Sequence, residues 1–155
     1  MGYSITIGEL TFENDEHQGR KVTCFRAEVA SNPSAPAFGE PTDYKSARCP
    51  SYSMWEDFVE YVGLKSLFFG KEVGQSEVTR GDHLIREESV VPLTEQHRLE
   101  VNAAFEAYQA KHPGANPTFE VGSTESNRHM ARLVWLHYWV NWALDNCKNP
   151  VFECR

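Results

Sequence analysis

The stretch from Ser126 to Asn146 is apolar nearly all round: Leu133, Val134, Trp135, Leu136, Tyr138, Trp139, Val140, Trp142, Ala143 and Leu144 leave only a narrow polar edge. A helix without a wide polar face is buried on several sides. At 1.5 Å per residue this one is roughly 30 Å long. In a chain of 155 residues it must be the central core element, with Trp142 on its broad buried arc. Everything upstream has to pack around it.

The upstream segments supply partners of both periodicities. Tyr3, Ile5 and Ile7 alternate with Ser4 and Thr6 over residues 3–12, and the alternation returns over 21–29. Period two marks half-buried strands, and the polar run ENDEHQGR between them reads as the turn of an antiparallel hairpin. Residues 84–91 read as a third strand. Ser53 and Glu56 form a capping box ahead of a short helix carrying Trp55, Phe58, Val59 and Val62, which Gly63 stops. Thr94 caps a longer helix to about Lys111, with Val101, Ala104, Phe105 and Tyr108 as its apolar stripe, ended by Pro113 and Gly114. The glycines at 70, 74 and 81 mark turns, and four prolines make 31–50 a long loop. Strands precede the main helices instead of alternating with them, so the expected class is α+β. The expected architecture is one domain over 1–155: a small antiparallel N-terminal sheet packed against two or three helices, with the long C-terminal helix central.

Charge narrows the partners. Lys plus Arg is 15 against Asp plus Glu 22, a net charge of −7. Nonspecific nucleic-acid affinity comes from cations meeting phosphates, so broad DNA or RNA binding is disfavoured. No apolar run reaches the roughly 18 residues of a membrane span. The first residues lack the basic and apolar regions of a secretory signal, which makes a cytoplasmic address the simplest. Cys24, Cys49, Cys147 and Cys154 contain no CxxC and read as four reduced thiols, although Cys147 and Cys154 are close enough in sequence to bridge.

No nucleophile elbow, phosphate-binding loop, dinucleotide fingerprint or HExxH pair is present, so no catalytic residue, cofactor or metal site is expected. His137, Asn141 and Asp145 lie four residues apart and read as the last helix's solvent edge. Arg128, Arg132, Trp135 and Trp139 fall within a sector of about 60° of that helix, with His129 nearby. Two guanidiniums beside two indoles suit a planar anion, because Arg forks onto phosphate or carboxylate and indole stacks on a ring. The competing reading is core packing, with Arg stems lying across aromatic faces. His97, in the first turn of its helix, joins the candidate ligand set because helix amino ends attract anions. Lys45 and Arg48, in the long loop, come next.

Pro50-Ser51-Tyr52 followed by Trp55 and Phe58, then Leu84-Ile85-Arg86-Glu87, then Pro92-Leu93-Thr94 with His97, resemble successive blocks of a family of small uncharacterised tailed-bacteriophage proteins. The closing block, ARLVWLHYWVNWALDNCKNPVF from Ala131 to Phe152, is the most similar. The resemblance implies a phage origin and action in the host bacterial cytoplasm. It implies no residue roles. The leading expectation is therefore a phage-encoded binding protein acting against its host, by sequestering a nucleotide-type immune signal or by inhibiting a host enzyme. Its partner would be a small anionic, nucleotide-like ligand or a host protein, with homo-oligomerisation left open. The alternatives are a small hydrolase acting on a nucleotide-like ligand, and a virion or assembly component.

Overall fold

The computed structural model describes residues 5–12, 20–24, 35–36, 55–68 and 90–154. Strand β1 (Ile5–Phe12) pairs antiparallel with β2 (Arg20–Cys24), placing Gly8 opposite Cys24 and Phe12 opposite Arg20. Strand β3 is short, Val90–Pro92, and β4 (Pro150–Cys154) returns from the far end of the chain. The order among the described residues is β2-β1-β4-β3, so β4 is inserted between β1 and β3. Pro92 sits on the edge strand, where a missing amide costs no ladder bond. One cross-strand row, Ile7–Phe152–Val91, is buried and lies on the face that β1 turns to the core through Ile5 and Ile7.

The architecture is α+β, with an antiparallel sheet against helices. Strand β4 has no counterpart in the sequence reading: five residues that begin with a proline carry too little alternation to register. The capping box at Ser53, the loop cations Lys45 and Arg48, and residues 69–89 lie outside the described residues.

Helix α1 (Trp55–Tyr61) ends where the sequence requires. Gly63 adopts φ 77°, its amide bonds Glu60 O at 3.2 Å, and the Leu64 amide bonds Val59 O at 2.7 Å. Those two bonds are a Schellman turn, and the left-handed residue in it is most cheaply glycine. The turn leads directly into α2 (Lys65–Phe68), whose Phe68 ring lies 4.7 Å from Phe152 and so attaches this corner to the sheet.

Helix α3 (Glu95–Lys111) and helix α4 (Glu125–Asn146) lie antiparallel. At one end Arg98 pairs with Asp145 at 2.8 Å; at the other the Tyr108 hydroxyl donates to Ser126 O at 2.8 Å. Thr124 caps α4 by accepting the Asn127 amide at 3.2 Å. Helix α4 is central: Ala131, Leu133, Leu136, Trp139, Val140 and Ala143 are all fully buried. Trp142, expected on the buried arc, is only partly buried and packs edge-on against Trp139 at 5.6 Å.

The polar stripe of α4 is a solvent edge only in part: Asp145 is exposed, whereas His137 and Asn141 are half-buried, which corrects the sequence reading for those two. Asn141 donates to Asn102 at 2.9 Å and accepts from Arg98 at 3.3 Å, while His137 stacks on Phe105 at 4.2 Å. The stripe is the polar seam between α3 and α4. Beyond α4, the Glu9 carboxylate accepts the amides of Lys148 and Asn149, fastening β1 to the turn that leads into β4. Cys147 in that turn is a free thiol. Burial, helped by Glu9, pushes its pKa up to about 11, so it is a poor nucleophile.

Candidate functional site

The sector of α4 predicted to hold a ligand divides on folding. Trp135 and Trp139 are both core residues, with Trp135 edge-on to Trp55 at 5.6 Å and Trp139 edge-on to Tyr138 at 4.9 Å. Large aromatic surfaces dominate core energetics, and on a helix surrounded by strands and helices they go inward. Neither indole can stack on a ligand, which removes both from the candidate site. Arg128 is half-buried and donates its Nε to Ser123 Oγ in the turn before α4.

His97 is also corrected. Its Nδ1 accepts the Thr94 amide at 3.1 Å, doing what Glu or Gln does in a capping box. Its Nε2 then carries the proton and donates to Leu67 O at 3.2 Å, with Phe68 edge-on at 5.2 Å. One nitrogen caps α3 and the other joins it to α2, so His97 is not available to an anion.

Arg132 and His129 stay together. The Arg132 side chain is 1% exposed, and its Nη1 donates to Glu125 Oε1 at 3.2 Å and to His129 Nδ1 at 2.8 Å. A guanidinium can only donate, so Nδ1 must be the unprotonated nitrogen and the imidazole is neutral, with its proton on Nε2. The 3.4 Å approach of Glu125 to the same Nδ1 is therefore not an ion pair; Arg132 bridges the two. The Phe119 ring lies 5.6 Å from the guanidinium carbon. Burial first, and Arg132 second, hold the His129 pKa below its ordinary value.

Around this pair the fold assembles groups that the sequence reading missed. The C-terminal ends of α1 and α3 meet the N-terminal end of α4. Tyr61 stacks on His129 at 5.8 Å, and its ring is half exposed. The Lys111 ammonium lies 5.1 Å from the Tyr61 centroid, on its face. The Tyr61 hydroxyl is 3.0 Å from His112 Nε2, and His112 Nδ1 is 3.2 Å from Ser126 Oγ. Tyr108, buried beneath, has its phenol pKa raised chiefly by burial and stays a neutral donor to Ser126 O. Tyr61 and His112 are 51 residues apart, and no local spacing announces such a pair.

The junction thus offers an exposed ring under a cation, two polar imidazoles and a buried guanidinium covered by a half-exposed carboxylate. It can receive a small anion beside a planar ring. Among the described residues, no group of three or more His, Cys, Asp or Glu could hold a metal, and no helix is long and apolar enough to cross a membrane. Comparisons with protein-family models, curated proteins and solved structures give no match.

The buried imidazoles predict an acid-labile fold. His97, His129 and His137 are each held below the ordinary imidazole value of 6.5, chiefly by burial. Below that value the unfolded chain binds protons that the folded chain refuses. Stability is therefore fully present above 6.5 and falls as the pH drops towards the folded values. Denaturation midpoints at about pH 5 and about pH 7.5 should show the loss, and His97→Gln, which keeps a capping acceptor, should flatten the dependence. A midpoint equal at both pH values would contradict it.

Proposed function

We propose that the chain is a non-catalytic binding protein for a small anionic, ring-bearing ligand of nucleotide-like chemistry, held at the junction of α1, α3 and α4. The resemblance of its closing block to small tailed-bacteriophage proteins supports a role inside an infected bacterial cell, sequestering a host signal or engaging a host enzyme. One observation carries the binding reading. On a protein of net charge −7, the half-exposed Tyr61 ring is preset under the Lys111 ammonium and backed by neutral His129. The exposed Lys111 side chain can swing off the outer face of Tyr61, so that a ring stacks there and an attached anion meets the ammonium and the polar groups behind it. Base–aromatic stacking contributes about 1–3 kcal/mol, which is about five- to 150-fold in affinity. Calorimetry with nucleotide ligands should therefore show Tyr61→Ala weakening binding by at least about fivefold, with Lys111→Ala weakening it in a salt-dependent way. Unaltered affinity in both variants would remove the site.

A hydrolase reading is favoured by one contact, Ser126 Oγ at 3.2 Å from His112 Nδ1. In that scheme Ser126 attacks an ester carbonyl while His112 takes its proton and returns it to the leaving alkoxide; water then releases the acyl group. The second nitrogen of His112, however, faces the Tyr61 hydroxyl, where a working triad places a carboxylate to stabilise the imidazolium. Binding is the better-supported reading for that reason. Ligand recovered unchanged after denaturation supports it; turnover lost in Ser126→Ala would replace it with the hydrolase.

A further inference from the structure

Resting on the binding reading, we infer that Glu125 is an internal occupant of the ligand's anion subsite, and that the ligand presents a carboxylate or phosphate oxygen to Arg132 in its place. Glu125 is the first residue of α4 and reaches along the helix to a guanidinium seven positions on. The two partners differ sharply in surroundings: the Arg132 side chain is 1% exposed and that of Glu125 is 49% exposed. A buried cation cannot leave the contact without losing its solvation, whereas a half-exposed carboxylate can swing into water at little cost. The pair is therefore built to open on one side only. Opening exposes Nη1 at the position 3.2 Å away that Oε1 now fills.

The rest of the arrangement fits an exchange of anions. His129 is fixed neutral with Nδ1 towards Arg132, so the imidazole adds no second charge and holds the guanidinium's orientation. The Phe119 ring lies 5.6 Å from the guanidinium carbon and adds no charge. Tyr61, stacked on His129, puts a half-exposed ring one side chain away from the subsite. A single carboxylate or phosphate replaces Glu125 without changing the local charge by more than one unit. A second cation is then needed only for a dianion, and Lys111 over Tyr61 can supply it.

Chemical rescue tests this. In Glu125→Ala the subsite has lost the Glu125 carboxylate, so inorganic phosphate or acetate, titrated against chloride at constant ionic strength, should raise the melting temperature saturably. The affinity should be at least about tenfold higher than that of the wild-type chain, where Glu125 competes, in line with a hydrogen bond to a charged group. Adding Arg132→Met to Glu125→Ala should abolish the response. Acetate and phosphate in separate arms report which anion the ligand carries. Equal responses in wild type and Glu125→Ala, or a response surviving Arg132→Met, would overturn the inference. If wild type binds nucleotide through Tyr61 while Glu125→Ala gains no anion affinity, the inference fails and the binding reading stands. If Glu125→Ala is rescued while Tyr61→Ala binds nucleotide normally, the subsite is upheld and the ring site is the part that fails.

Discussion

Trp139→Ala is expected to lower stability by about 3–5 kcal/mol, the cost of truncating a large aromatic side chain inside a core. Trp139 is fully buried on the central helix, among rings that cannot close over the space an indole leaves. Trp142→Ala provides the internal contrast. Its ring is only partly buried, so the loss should be about 1–2 kcal/mol. Urea midpoints for the two variants decide the matter. Equal losses, or a larger one at Trp142, would mean that α4 is rotated about its axis relative to the sheet. Trp139→Leu should also destabilise, because this indole holds the core together.

Arg132→Met is expected to cost about 1–3 kcal/mol even though the methionine keeps much of the buried stem. Part of the loss falls on His129, whose Nδ1 loses its 2.8 Å donor from Arg132. Glu125 contributes little to the penalty because it is half exposed and returns to water. Arg128→Ala should cost less, since Arg128 is half-buried and donates to a serine in a turn. Thermal unfolding of the two variants side by side should separate them; equal losses would show that Arg132 is no more built into the fold than its neighbour.

The elements were legible where signals are local. The all-round apolarity of 126–146 located the central helix; Thr94, Gly63 and Pro113 bounded their elements; and alternation found β1 and β2. Strand β4 was not legible, because PVFEC is ordered by pairing with residues some 145 positions earlier and its own pattern is minimal. The candidate site was half legible for the same reason. Helical spacing correctly put Arg132 beside His129, since they lie three residues apart on one face. The core-packing reading of that face holds for its two tryptophans, which turn inward; spacing could not tell that Tyr61, Lys111 and His112 arrive from two other helix ends. His97 shows the converse. Its place in a helix's first turn was read as an anion site, but the turn's own amide had already claimed the imidazole.

The central claim is that the α1–α3–α4 junction holds a small anionic ligand through Tyr61 and Lys111. Its most direct test is mass spectrometry of the small molecules released on denaturing protein purified from infected bacterial cells, with the wild-type chain and a Tyr61→Ala, Lys111→Ala double variant compared at equal folded concentration. The account predicts one anionic, ring-bearing compound released intact from the wild type and missing from the variant. Release of the same compound in the same amount from both proteins, or of none from the wild type, would contradict it.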